Sequence, residues 1–114
     1  MSPITTHVLD TSRGRPASGV PVRLERREGG GSWKVLSSSK TDADGRARDL
    51  LPEGSRLEKA VYRLVFDTAA YFTSIKTQGF YPEVAVLFEI KEPGQHHHVP
   101  LLLSPYGYST YRGS

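Results

Sequence analysis

Residues 82–90 read PEVAVLFEI, and large apolar side chains recur through this stretch at every second position. One face of the pattern carries Val84, Val86, Phe88 and Ile90. A period of two is that of a β-strand, because successive side chains along a strand point to opposite faces. The stretch therefore predicts a strand with one face turned towards a core.

The same alternation recurs elsewhere in the chain. It is present in AVYRLVFD (60–67), ITTHVLDT (4–11) and PVRLERRE (21–28), and WKVLSSSKT (33–41), which follows a GGGS hairpin tip, predicts a further strand. Turn sequences separate these stretches: GRPASGVP (14–21), GGGS (29–32) and TDADGRA (41–47). Near the end, HHHVPLLLSPYGYSTYRGS (96–114) predicts a strand, a bend at SPYG and a last strand that runs to the terminal carboxylate. Many short strands separated by turns predict an all-β, antiparallel sandwich or barrel.

One segment, DTAAYFTSIKTQG (67–79), has helical rather than alternating spacing. Tyr71, Phe72 and Ile75 would share a helix face. Thr68 is a candidate N-cap and Gly79 a candidate stop, because hydroxyls favour helix starts and glycine favours helix ends. The sequence thus predicts a single short helix.

Length and composition narrow the class of protein. A chain of 114 residues is the size of one domain, so we expect a single domain over residues 1–114. Without cysteine there is no disulfide framework and no thiolate metal site. The net charge is +3, and the arginines are spread along the chain and interleaved with acidic residues. A nucleic-acid-binding surface usually carries a concentrated basic stripe instead, so we expect no nucleic-acid partner. The start MSPITTHVLD resembles no secretory signal and the longest aliphatic run is VPLLL, which predicts a cytoplasmic protein with no membrane partner.

Four histidines are the candidates for proton transfer: His7 near the start, and His96, His97 and His98 near the end. They can converge across neighbouring strands as a base and its partner, or each can be a half-buried polar residue. In an extended strand His96 and His98 share a face that His97 does not, so at most two could bind one metal, and no acidic ligand lies in the segment. We expect no metal and no cofactor. No GxSxG elbow supports a serine nucleophile.

Two arginines follow the DG turn. Arg46 lies where a strand is predicted to begin, and Arg48 would share its face if that strand is regular. Spacing alone does not choose between them as a functional cation.

Several motifs taken together resemble one family. They are ITTHVLDTSRGRPASGVPVRL (4–24), TDADGR (41–46), FDTAAYF (66–72), FYPEVAVLFEI (80–90) and the ending HHHVPLLLSPYGYSTYRGS (96–114). This pattern, which covers nearly the whole chain, resembles the transthyretin-like 5-hydroxyisourate hydrolases. Transthyretin itself shares the LLSP region but lacks the YRGS ending and the corresponding histidines. The sequence departs from the family pattern at His97, where an aromatic residue is common, and at Asp42, where asparagine is frequent.

The resemblance implies a transthyretin-like antiparallel β-sandwich with one short helix, assembled as a homotetramer with active sites at the subunit interface. It implies that 5-hydroxyisourate is hydrolysed to 2-oxo-4-hydroxy-4-carboxy-5-ureidoimidazoline in urate breakdown, without a cofactor. The implied catalytic residues are His7, Arg46 and His98. In that picture the histidines transfer protons, Arg46 stabilises the oxyanion, and which histidine is the base stays open.

The same resemblance makes His7, Arg46, Tyr111 and Ser114 the substrate-binding residues. A pairing of Arg112 with the Ser114 carboxylate would hold the tail in place. Two alternatives remain: a small-molecule carrier that uses the same channel, as transthyretin does, and a plain β-sandwich interaction module.

Overall fold

Residues 2–114, the part of the chain that the computed structural model describes, fold into two β-sheets and one α-helix. The helix, α1, spans Thr68–Ser74, and a short 3-10 turn spans Gly29–Gly31. The strands are β1 Ile4–Asp10, β2 Arg15–Pro16, β3 Pro21–Arg27, β4 Trp33–Lys40, β5 Arg46–Ala47, β6 Ala60–Phe66, β7 Val84–Ile90, β8 His97–Ser104 and β9 Gly107–Thr110.

The strands pair in two layers. The first sheet has the order β2-β1-β8-β9, with β5 also paired to β1, and the second has the order β4-β3-β6-β7. All pairs are antiparallel except β1 with β8, which run parallel. The predicted all-β sandwich with one short helix is confirmed, and its single parallel pair joins strands from opposite ends of the chain.

The core lies between the two sheets. From the second sheet, Val84, Val86 and Ile90 are buried in it as their alternation predicts, whereas Phe88 is half-buried and stacks on Tyr62 with ring centroids 6.1 Å apart. From the first sheet, β1 sends Ile4 and Val8 into the same cluster. The alternate side chains of β1, those of Thr5, His7 and Leu9, consequently lie on the outer face of the first sheet.

The helix differs from its predicted ends. Its N-cap is Asp67, whose carboxylate accepts a hydrogen bond from the Ala70 amide at 3.0 Å, so the prediction of Thr68 was wrong by one residue. The helix ends at Ser74, well before Gly79. A Cβ at Gly79 would lie 2.5 Å from the Phe72 ring, so the glycine permits close packing and does not stop the helix.

No helix within residues 2–114 is long and apolar enough to cross a membrane, and the cytoplasmic location stays a prediction.

The chain end also differs from expectation. Strand β9 stops at Thr110 and does not continue to the carboxylate. The chain leaves the sheet and returns at Gly113, whose amide donates to the His98 carbonyl at 2.8 Å in an isolated bridge. The tail is thus attached to β8 beside His98.

Candidate active site

Strand register brings the three predicted catalytic residues to one face. In the antiparallel β1–β5 pair, His7 lies opposite Arg46. In the parallel β1–β8 pair, Thr5 lies opposite His98. Thr5 and His7 are two residues apart on one strand and therefore share its face, which is the outer face of the first sheet. The histidines from the two ends of the chain thus converge beside one guanidinium.

The turn before Arg46 explains why this arginine, and not Arg48, reaches the site. The Asp42 carboxylate accepts hydrogen bonds from the backbone amides of Asp44 and Arg46, which closes the turn. Gly45 has φ +76°, and a Cβ there would overlap the Val8 carbonyl oxygen, so the turn lies directly against β1.

The same arrangement separates the two arginines. Strand β5 ends at Ala47, so Arg48 falls beyond the pairing and is exposed. Arg46 is held opposite His7 by the ladder itself.

The environment keeps both site histidines neutral near pH 7. Burial, followed by the positive charge of Arg46, lowers the pKa of His7 below its ordinary value of 6.5, and Asp44 and Asp42 oppose this only in part. Burial, again followed by Arg46, lowers the pKa of His98, with smaller effects from the neighbouring histidines. A neutral imidazole has a free lone pair and can accept a proton.

Thr5 is a member of the site that the sequence analysis did not single out. Its hydroxyl lies 2.8 Å from Nδ1 of His98 and 3.0 Å from Nε2 of His96. The two imidazole rings are stacked with centroids 6.4 Å apart. The alternation in β1 places Thr5 on the face of His7, but only the β1–β8 register shows that it faces the histidine triplet.

The third histidine of the triplet faces the other way, as strand alternation predicts. His97 is buried on the core side, and burial lowers its pKa. Its Nδ1 has no hydrogen-bond partner among the described residues. Within residues 2–114 no group of three or more His, Cys, Asp or Glu side chains is placed to hold a metal ion.

The tail touches the site through its glycine. A Cβ at Gly113 would lie 2.5 Å from Cδ2 of His98, so the glycine backbone packs closely against that imidazole. Tyr111 is 57% exposed and lines a cavity of about 200 Å³ together with His98 and residues 86–89 of β7. Ser114 is exposed, and the roles of Tyr111 and Ser114 in substrate binding stay predictions.

The suggested pairing of Arg112 with the Ser114 carboxylate is not found among the ion pairs of residues 2–114. Arg112 donates instead to the side-chain carbonyl of Gln95 at 2.8 Å. This hydrogen bond ties the tail to the loop before β8.

The chain is similar to known proteins in both sequence and structure. A model of the HIUase/Transthyretin family matches residues 4–113. A Salmonella dublin protein named 5-hydroxyisourate hydrolase is 48% identical over 111 residues, which are 97% of this chain and 80% of that protein. The structure of Klebsiella pneumoniae 5-hydroxyisourate hydrolase matches with a TM-score of 0.86 and 38% identity, covering 100% of both chains. Sea bream transthyretin in complex with thyroxine matches with a TM-score of 0.91 and 32% identity, covering 98% of this chain and 95% of that one. The chain therefore belongs to the HIUase/Transthyretin family.

Proposed function

We propose that this protein catalyses the hydrolysis of 5-hydroxyisourate to 2-oxo-4-hydroxy-4-carboxy-5-ureidoimidazoline, a step of uric acid degradation. The names of the Salmonella and Klebsiella relatives support the substrate. The observation that carries the proposal is the pairing of His7 with Arg46 on the sheet face that also holds His98.

The reaction needs what this face offers. Hydrolysis of a ring amide requires a base that takes a proton from water and positive charge where the oxyanion develops. His7 and His98, whose pKa values are both lowered, are neutral at pH 7 and can act as the proton-transfer pair. Arg46 carries a permanent charge and a planar fork of donors suited to carbonyl oxygens.

The proposed hydrolysis proceeds by addition of water to the ring carbonyl, followed by cleavage of the adjacent C–N bond. One imidazole takes a proton from water, the water oxygen bonds to the ring carbonyl carbon, and the carbonyl electron pair moves to its oxygen. Arg46 donates hydrogen bonds to that oxyanion. When the carbonyl reforms, the adjacent C–N bond breaks, and the leaving nitrogen receives the proton that the imidazolium held. The base is thereby restored without a cofactor.

The proposal extends to assembly and to the tail. We propose a homotetramer in which a neighbouring subunit covers the outer face of the first sheet, with Tyr111 and Ser114 binding the substrate. Both residues are exposed in the single chain and flank Gly113, which packs on His98. Light scattering that gives the mass of a monomer under assay conditions would contradict the assembly.

A carrier function is the second candidate, favoured by the match to sea bream transthyretin in complex with thyroxine. The face described above presents two histidines and an arginine, and these polar groups would lose hydration under an apolar ligand. The hydrolase proposal accounts for their convergence and the carrier proposal does not.

The deciding experiment generates 5-hydroxyisourate with urate oxidase and follows its absorbance with and without this protein. We expect faster decay, and a loss of about 100-fold or more in His98→Asn and His7→Asn, the range expected for a general base. Arg48→Gln, which changes an exposed residue next to the site, serves as the matched control. Decay at the spontaneous rate from folded protein, together with thyroxine binding, would replace the hydrolase proposal with the carrier.

A further inference from the structure

The Thr5 hydroxyl holds one proton but contacts two imidazole nitrogens. It lies 2.8 Å from Nδ1 of His98 and 3.0 Å from Nε2 of His96, and both are hydrogen-bonding distances. A hydroxyl donates one hydrogen bond and accepts others, so it can donate to only one of these nitrogens. The other nitrogen must carry its own proton and donate to Thr5. The protonation of the two rings is therefore linked through Thr5.

Two arrangements satisfy this geometry when both rings are neutral and the Thr5 hydroxyl donates to one of them. In the first, His98 donates from Nδ1 to Thr5, and Thr5 donates to Nε2 of His96. In the second, Thr5 donates to Nδ1 of His98, and His96 donates to Thr5. The first leaves Nε2 of His98 with a lone pair, whereas the second places a proton there. Of these two, only the first makes His98 a base. If Thr5 donates to neither ring, both rings donate to its oxygen, and His98 again carries its proton on Nδ1.

The hydrogen-bond partners of His98 favour the proton on Nδ1. The Thr5 hydroxyl oxygen lies 2.8 Å from Nδ1 and can accept a hydrogen bond from it, whereas Nε2 makes no hydrogen bond within residues 2–114. A donor left without an acceptor costs free energy, so the proton is better placed on Nδ1. The Cγ–Cδ2 edge of the ring faces Gly113, with its closest approach at Cδ2. With the proton on Nδ1, the lone pair of Nε2 is available to a water molecule.

We propose that Thr5 is a positioning residue that fixes His98 as its Nδ1–H tautomer. His96 is the acceptor that orients the Thr5 hydroxyl. His98 is consequently the base, and it takes the proton from water at Nε2. The inference deepens the proposed hydrolase function and rests on it. After proton transfer, the imidazolium still donates from Nδ1 to Thr5, and the Nε2 proton passes to the leaving nitrogen. His7 then holds the water or the substrate beside Arg46.

The test compares Thr5→Val with Thr5→Ser. Valine has nearly the shape of threonine without the hydroxyl, and serine restores the hydroxyl. Removing a group that orients a functional histidine typically lowers activity about 10- to 100-fold, and we expect Thr5→Val to lose that much kcat with little change in KM. Thr5→Ser should return kcat to within about threefold of the parent.

A spectroscopic readout makes the test independent of turnover. Long-range ¹H–¹⁵N spectra of the histidine side chains distinguish the two tautomers directly. We expect the Nδ1–H tautomer of His98 in the parent protein, a shift towards the Nε2–H tautomer in Thr5→Val, and a smaller shift in His96→Phe, where the Thr5 hydroxyl is released to donate to His98. An Nε2–H tautomer of His98 in the parent would overturn the inference.

Thr6→Val is the matched control for lost stability. The Thr6 hydroxyl is buried and donates to the Val99 carbonyl at 2.6 Å, on the face of β1 away from His98. This variant should be less stable but keep the His98 tautomer and the parent kcat. Unchanged tautomer and kcat in Thr5→Val would overturn the positioning role. If the parent protein fails to hydrolyse 5-hydroxyisourate, the proposed function fails, and the tautomer spectra still decide the role of Thr5.

Discussion

Replacing Gly113 by alanine should disable the proposed base through contact alone. The added Cβ would lie 2.5 Å from Cδ2 and 3.2 Å from Cγ of His98, whereas carbon atoms prefer a separation of about 3.5 Å. The ring would therefore have to retreat by about 1 Å. Because Nδ1 of His98 is hydrogen-bonded to Thr5 at 2.8 Å, a displacement of that size would disrupt this hydrogen bond.

The expected magnitude follows from this displacement. A misplacement of a reacting group by about 1 Å lowers the rate by about 100-fold, so we expect kcat of Gly113→Ala to fall by that factor. If the tail moves instead of the ring, the 2.8 Å hydrogen bond from the Gly113 amide to the His98 carbonyl is lost. Loss of one such bond in the exposed tail should reduce the free energy of unfolding by only about 1 kcal/mol.

The assay is steady-state decay of enzymatically generated 5-hydroxyisourate, with thermal unfolding measured on the same samples. Gly107→Ala is the matched control, because a Cβ there meets only Ser104 Oγ, at an ordinary 3.6 Å. It should keep kcat. A Gly113→Ala variant with kcat within about threefold of the parent would refute the claim that the tail confines His98.

Three further predictions test other parts of the structure. Arg46→Lys should lower kcat/KM by about 100-fold, because a single ammonium does not replace the planar fork of donors. Arg48→Lys should leave kcat/KM unchanged. Near-parent kcat/KM in Arg46→Lys would contradict the oxyanion role of Arg46. The acid limb of the kcat/KM profile, which reports the free protein, should lie below pH 6.5, since the pKa values of both site histidines are lowered and the base is lost only as the pH falls through them. A limb at or above that pH would contradict this environment. Tyr71→Phe should reduce the free energy of unfolding by about 1–3 kcal/mol in urea titrations, because Tyr71 donates a hydrogen bond of 2.6 Å to the buried carboxylate of Asp10. A loss no larger than that of Tyr106→Phe, which changes an exposed tyrosine, would contradict a stabilising role of this hydrogen bond.

Local patterns were enough to predict the longer strands and the face that each histidine takes. The alternation of 82–90 became β7 with Val84 and Ile90 in the core. His96 and His98 share a face, with His97 turned to the core, because the period of a strand is a property of the backbone itself. The turn at 41–47 could also be predicted from the sequence, because the positive φ of Gly45 is a local backbone requirement that glycine meets without strain.

The helix ends and the tail show where local patterns were insufficient. Asp67 caps the helix in place of Thr68, and both residue types suit that position, so the backbone path into the helix decided between them. The last strand was predicted to run to the carboxylate, yet β9 stops at Thr110 and only Gly113 returns to the sheet. Its close approach to His98 is a contact between distant parts of the fold, which no local pattern contains.

By itself, the sequence determined the all-β class, the single helix and the residue types available for proton transfer. The tertiary structure alone decided that β1 and β8 pair in parallel with Thr5 opposite His98, and that the β5 pairing ends before Arg48. The physical reason is that side-chain direction within a strand follows from neighbouring residues, whereas pairing and register depend on which distant strands the core brings together. The linked imidazoles of His96 and His98 exist only because of that register.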